Sequence, residues 1–312
     1  LGDSIEQGIR MSENLSLIAA EEDEIEAFLA SGKAKAVLFL PANFSASFVQ
    51  SGELTLDLKL EGSNPALSQP VIGQIHQIAI AALAQLAAPE IAPGFDRSPV
   101  RIKADYFYGG EEFGMMDYVA PVYIAFLVLF FVFLITCVSL IRERNQGTLE
   151  RLLASPTTRF EIIAGYIIGL GVYALLQGAV ILTFSLFVLK IVYAGSLWIL
   201  FLIIAILSIV GVALGMLASS FARNEFQVVL FIPLLIIPQM LLGGTFIPVD
   251  QLPPVLTPLA YCMPLTYANM ALQDVMIKGW NLSQIYLKLL LLGGFAVVFV
   301  VIDVLAVRRK ID

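Results

Sequence analysis

Charge is scarce in this chain. Asp, Glu, Lys and Arg supply 14% of its 312 residues and hydrophobic types 59%, against roughly 45–50% apolar usage in a soluble domain. Mean hydropathy is +0.87. These values exclude an ordinary soluble protein and place the chain in a membrane. Cysteine is nearly absent. Cys137 and Cys262 are too few for a disulfide framework. The first lies inside an apolar run and the second in a later segment towards the opposite side, so they are not expected to pair and both read as packing residues. His76 is the single histidine and has no cluster of metal-ligating neighbours, so no metal site is expected. No nucleophile constellation and no G-x-x-x-x-G-K-[ST] phosphate loop occurs, so the chain cannot hydrolyse ATP itself. No cofactor of its own is expected.

The charge that is present is unevenly divided. Residues 1–117 carry 7 Lys and Arg against 17 Asp and Glu, whereas residues 118–312 carry 11 against 8. An acidic soluble portion followed by a mildly basic apolar portion argues against nucleic acid as a partner.

Five apolar runs, 118–141, 162–189, 196–219, 226–247 and 286–307, are long enough to span a bilayer core, which takes about 20 residues at 1.5 Å each. The loop after the first run carries Arg142, Arg144, Arg151 and Arg159, and the tail carries Arg308, Arg309 and Lys310. Excess basic charge marks the cytoplasmic side, so both are expected there and residues 1–117 outside. Lys190 and Lys278 fall on the outer side against that rule. A large outer portion needs an export signal, and the sequence opens at Leu1 without one. The expectation is a further span upstream, six in all.

Residues 1–117 read as a compact α/β domain. Leu15 and Leu17 suggest a weak strand. Within Glu21 to Ala30, Ile25, Phe28 and Leu29 share a helical face. Ala36 to Leu40 reads as a short buried strand stopped by Pro41. Leu54, Leu56, Leu58 and Leu60 alternate with polar residues, the clearest period-two strand present. Pro65 to Leu86 reads as a long helix with Pro70 tolerated near its start, Ala87 to Pro93 as a linker, and Val100 and Ile102 as the opening of another strand.

The segment between the first two spans is too patterned for a bare connector. In Thr148-Leu149-Glu150-Arg151-Leu152-Leu153-Ala154-Ser155-Pro156, Leu149, Leu152 and Leu153 recur at helical spacing, with Glu150 and Arg151 on the other side. Gly147 breaks the backbone before it and Pro156 ends it. The run from Arg142 to Pro156 resembles the signature of type-2 ABC transporter permeases, and the resemblance extends over almost the whole chain. It implies a coupling helix near 148–155 that docks on a separate cytoplasmic ATPase, with Gly147, Thr148, Leu149, Glu150, Arg151, Leu152, Leu153, Ser155 and Pro156 as the coupling residues. Leu38 to Phe44 and Glu61 to Pro65 are similar to stretches of the extracytoplasmic domain that one branch of these permeases carries between its first two spans. Gly243-Gly244-Thr245-Phe246-Ile247-Pro248, with Leu252-Pro253-Pro254 and Met263-Pro264-Leu265-Thr266-Tyr267-Ala268, looks like the family's re-entrant region before the last span. The residues themselves agree: Val255 to Met263 and Tyr267 to Ile277 are apolar, broken by Gly and Pro, and too short to cross, as re-entrant or interfacial pieces near 248–285 would be.

The resemblance therefore implies an α-helical membrane protein that is the permease subunit of an ATP-driven exporter. It implies a second permease copy or homologue, ATPase subunits that hold ATP and magnesium, and residence in the plasma or inner membrane. The apolar spans, without a charged pathway, favour a hydrophobic or amphipathic substrate, drug-like or lipid-like. The outer domain is placed to meet a periplasmic adaptor or to gate an exit. A membrane sensor or scaffold with a ligand-binding outer domain is the alternative of a different class. A secondary transporter would show paired intramembrane charges or repeated broken helices, and neither is visible. Other features read as structural. Gly165 with Gly169, and Gly211 with Gly215, allow close helix packing. Pro233 and Pro238 are expected to kink a span. Gln177 either lines a cavity or bonds a neighbouring helix. Asp303 is the single carboxylate within a span, a functional candidate by default, and lies about a turn and a half from Arg308, so pairing or snorkelling is expected in preference to a proton relay.

Overall fold

The computed structural model describes residues 2–12, 15–40, 54–86, 100–110, 112–222 and 224–308. The chain divides into two compact units, Leu1–Tyr118 and Val119–Asp312.

In the first unit, α1 (Gly2–Met11) and α2 (Ile25–Ala30, entered through a 3₁₀ turn at Glu22–Glu24) precede β1 (Ala36–Phe39), β2 (Leu54–Leu60), α3 (Pro65–Leu86) and β3 (Val100–Tyr106). The sheet order is β1-β2-β3. β1 runs antiparallel to β2, with Leu38 opposite Leu58, and β3 runs parallel to β2, with Leu56 opposite Ile102. Parallel neighbours need a long crossover, and α3 supplies it. The alternation of β2 has the expected consequence: all four leucines are buried and Thr55 and Asp57 are exposed. They join Ile75, Ala79 and Leu83 of α3 and Ile5 and Ile9 of α1 in one core. Two expectations are corrected. Leu15 and Leu17 lie in a segment without regular structure. Within Ala36 to Leu40, Ala36–Phe39 forms a strand, but an edge strand with no fully buried side chain, because only β2 lies against it. The Ala87 to Pro93 linker lies outside the described residues.

The second unit contains five helices long and apolar enough to cross a membrane. They are α4 (Met115–Asn145, which begins in the first unit), α6 (Arg159–Thr183, continued by a π-helical turn at Phe184–Val188), α7 (Leu197–Phe221), α8 (Glu225–Leu242) and α11 (Leu282–Arg308). Between them stand the short α5 (Thr148–Leu153), α9 (Thr257–Tyr261) and α10 (Pro264–Met276). α7 is the axis of the packing. Leu200, Ile203, Leu207 and Val210 enter a core with α4, α6, α10 and α11. Leu214 and Ala218 enter a second core with Phe133, Cys137 and Ile141 of α4 and Val228 and Ile236 of α8.

Glycine sets the α4–α7 distance. A Cβ on Gly215 would stand 2.7 Å from the Cβ of Thr136 and 3.0 Å from the carbonyl oxygen of Phe133, closer than carbon atoms pack. The Cys137 thiol donates to the Gly215 carbonyl at 3.2 Å. Gly211 and Gly215 thus serve packing within the chain. At Gly165 and Gly169 nothing stands within 4 Å of where a Cβ would be, so that pair does not pack on the described residues. Cys262 is exposed and corrects its reading as a packing residue.

Candidate functional site

Gly147 closes α4. Its φ of +72° lies in the left-handed region that other residues enter at a cost of about 1–2 kcal/mol. Its N–H donates to the Arg144 carbonyl at 3.0 Å, and the chain leaves in a new direction as α5. That helix covers Thr148–Leu153, so Ser155, expected within the helix near 148–155, lies in the turn that follows it, and Pro156, expected to end the helix, lies in the same turn. The turn is fixed by its own hydrogen bonds. The Ser155 hydroxyl donates to the Leu152 carbonyl at 2.6 Å and stands 2.6 Å from the Thr157 hydroxyl. Then Thr158 and Glu161 form a reciprocal capping box that starts α6, with the Thr158 N–H 2.7 Å from the Glu161 carboxylate. Each cap satisfies helix-end donors that would otherwise be unpaired. Arg151 and Leu152 are exposed. The side chains of Leu149, Glu150 and Leu153 lie outside the described residues.

Just before this loop, three consecutive residues of α4 reach three other helices. Arg142 pairs with Glu225 at the start of α8 at 3.0 Å. Glu143 accepts a hydrogen bond from the Tyr166 hydroxyl of α6. Arg144 donates to the carbonyl of Ala222, just past α7, at 2.9 Å. Successive side chains on a helix project about 100° apart, so a run of three polar residues in the last turn addresses three neighbours. Charge counting read these residues only as markers of sidedness. The signal that could have found the clamp was the polar partners Tyr166 and Glu225 at matching helix ends.

The opposite end of the bundle holds the other group of expected site residues. α8 ends at Gly243, whose N–H donates to the Gln239 carbonyl at 2.8 Å. The Gly243 carbonyl accepts from the buried Asn269 side chain at 2.6 Å. Gly244 follows with φ +82°, and Pro248 opens a 3₁₀ turn at Val249–Gln251. Pro264 starts α10 at a position where its missing N–H costs nothing. Tyr267 donates to the Tyr261 carbonyl at 2.9 Å and its ring lies 5.8 Å from that of Phe295. α10 is buried along most of its length, whereas the segment before it is open, with Val255 81% exposed. The expected single apolar piece from Val255 to Met263 is therefore a turn followed by the five-residue α9. The Ala194 N–H donates to the Met276 carbonyl at 2.8 Å, which joins the α6–α7 connection to α10.

Lys278 finds a local reason at this end. The buried Asp274 carboxylate takes Lys278 at 3.0 Å and also Lys288 of α11. Both ammonium groups lie over the Trp280 ring, at 4.8 and 5.2 Å. Asp303 behaves otherwise. It is 3% exposed, and neither of its oxygens has a hydrogen-bond partner among the described residues; the side chain of Arg308 lies outside them. The Gln177 amide is likewise buried without a partner. Among the described residues no cluster of His, Cys, Asp and Glu could hold a metal ion.

Five apolar helices of spanning length, four of them tied together at one end by the polar clamp, define a multi-pass membrane protein. The sequence profile of the ABC-2 family transporter proteins matches residues 3–305, and the chain belongs to that family: it is an ABC transporter permease. Among curated relatives it is 26% identical over 270 residues to the "Probable multidrug ABC transporter permease YbhR" of Escherichia coli K12, which covers 86% of this chain and 72% of that one. It is 24% identical over 299 residues to "Probable multidrug ABC transporter permease YbhS" of the same organism, covering 95% and 78%. With "ABC transporter G family member 20" of Dictyostelium discoideum it shares 26% identity over 215 residues, 68% of this chain and 30% of that protein.

Proposed function

We propose that the chain is the permease subunit of an ATP-driven exporter, and that residues 147–156 are where separate cytoplasmic ATPase subunits push on it. The carrying observation is the clamp at the end of α4. A load on α5 passes through Gly147 to a helix end that holds α8 through Glu225, α6 through Tyr166 and α7 through the Ala222 carbonyl. A displacement there is shared by four spanning helices. On this reading ATP and magnesium reside on the ATPase, two permeases pair around the path, and Leu149, Leu152 and Leu153 meet the ATPase with Glu150 and Arg151 at the rim.

The same reading puts the 142–161 loop in the cytoplasm. Residues 1–117 are then an extracytoplasmic domain, and the segment near 248–285 is an outer re-entrant region of an inner or plasma membrane protein. The basic residues beside the loop support it. The substrate is hydrophobic or amphipathic. The apolar spans support that class, as do relatives whose names describe multidrug permeases.

The test is reconstitution with the partner ATPase in liposomes. Glu150→Lys is expected to insert normally, yet to abolish ATP-driven transport and permease-stimulated ATP hydrolysis. Wild-type values for both in that variant would remove the coupling role from α5.

A further inference from the structure

At the end of α8 the bundle buries two side-chain oxygens that no donor among the described residues reaches. Gln239 and Asn269 are 4% and 2% exposed, and both are tied to Gly243, which closes α8. The backbone fixes which way their amides point. The Asn269 nitrogen donates to the Gly243 carbonyl at 2.6 Å, with the Thr245 hydroxyl at 3.4 Å. The Gln239 nitrogen donates to the Leu235 carbonyl at 3.4 Å. Turning either amide round would set its oxygen against a carbonyl oxygen. The amide oxygens are what remains: neither Gln239 Oε1 nor Asn269 Oδ1 has a hydrogen-bond partner among the described residues. A buried acceptor without a donor leaves its desolvation uncompensated, so two of them at one helix end call for a donor from outside the chain.

The surroundings select the kind of donor. α8 and α10 contain no Lys, Arg or His, so neither helix brings a cation to this place. The C-terminus of a helix is the negative end of its dipole, and α8 ends here, packed so closely on α10 that a Cβ on Gly243 would stand 3.4 Å from Leu265. The single charge in the 243–252 segment is the carboxylate of Asp250. An anion would meet acceptors and like charge. A protonated primary amine brings a positive charge and three N–H donors. The buried Thr245 hydroxyl oxygen, with two lone pairs, is a third acceptor beside the two amides. Immediately beyond it Phe246 and Ile247 are exposed and offer apolar surface to a tail.

We propose that Gln239 Oε1, Asn269 Oδ1 and Thr245 Oγ1 form a binding site for the protonated primary amine of an amphiphile, where α8 breaks against α10. This narrows the substrate class of the export reading and rests on that reading only for the claim that the bound amine is cargo.

The experiment uses the full chain in phosphatidylcholine nanodiscs without ATPase or ATP, with tritiated dodecylamine as the ligand. Unlabelled dodecylamine should displace it about tenfold more effectively than dodecyltrimethylammonium, which has the same charge and tail but no N–H donor. Gln239→Met keeps the shape and removes the oxygen, so amine binding should weaken about tenfold. Its melting midpoint should stay level or rise, because an unpaired buried acceptor is gone. Gln239→Glu puts a carboxylate in the same place and should tighten amine binding about tenfold. Equal displacement by the two heads, or amine binding indifferent to both substitutions, would mean that the oxygens hold ordered water only and would overturn the site. Because the readout needs no ATP, the two readings fail separately. A protein that binds the amine as expected but exports nothing in the reconstituted system removes the export reading and leaves the site. One that exports but binds both heads alike removes the site and leaves export.

Discussion

The hydroxyl of Tyr166 on α6 donates to the carboxylate of Glu143 on α4, across the loop proposed to receive the ATPase. A hydrogen bond to a charged acceptor contributes about 1.5–3 kcal/mol, and this one is half-buried and joins two spanning helices. It ties the last turn of α4 to the first half of α6.

The coupling of these two side chains is measurable. Tyr166→Phe and Glu143→Gln, alone and combined, should give an interaction energy of about 1–2 kcal/mol in a double-mutant cycle on the purified permease. Under the proposed function, each single variant should also lower transport relative to ATP hydrolysis. Strict additivity of the unfolding midpoints would mean that the contact contributes nothing to the hairpin.

Packing at the α4–α7 crossing gives a sharper stability prediction. Gly215→Leu must displace Thr136 or the Phe133 carbonyl, and overpacking of this kind costs about 1–3 kcal/mol. Gly165→Leu, made where nothing stands within 4 Å, serves as the matched control and should leave the midpoint nearly unchanged. Equal losses in both would point to insertion or helix propensity, not to helix approach.

Sidedness can be read from the protein's own thiols. Cys262 is exposed and Cys137 buried, so a membrane-impermeant maleimide added from outside intact cells should label the wild-type chain at Cys262 alone. In a Cys262→Ser background, cysteines at Gln69 and Val255, both exposed, should label from outside, and one at the exposed Ala154 only after lysis. Val255 is a better probe than Lys278, whose ammonium is held by Asp274 at 3.0 Å. Labelling of Ala154 and Gln69 from the same side would contradict the topology.

Much of the fold could be read along the chain, because its signals are local. The leucine alternation of β2, the length of α3 and the five spanning helices follow from period and composition within one segment. Gly147 announced its own break, since a left-handed backbone favours glycine wherever it occurs. α1 was also legible, through Ile5 and Ile9 one turn apart and the Glu6–Arg10 pair at 2.8 Å, although no element was assigned there. Leu15 and Leu17 misled because two alternating leucines carry too little period to specify a strand without a neighbour to pair with.

What the sequence by itself determined was thus the class of protein, most of its elements and the existence of a patterned loop between the first two spanning helices. Only the tertiary structure decided which residues meet. Arg142, Glu143 and Arg144 each take a different partner, at positions 225, 166 and 222, and Asp274 draws in Lys288 from the next helix. One glycine pair packs while the other faces open space. Hydrophobic periodicity shows which stripe of a helix is apolar. The rotation of each helix about its axis and its depth beside its neighbours set the contacts, and both come from the packing of all the helices at once.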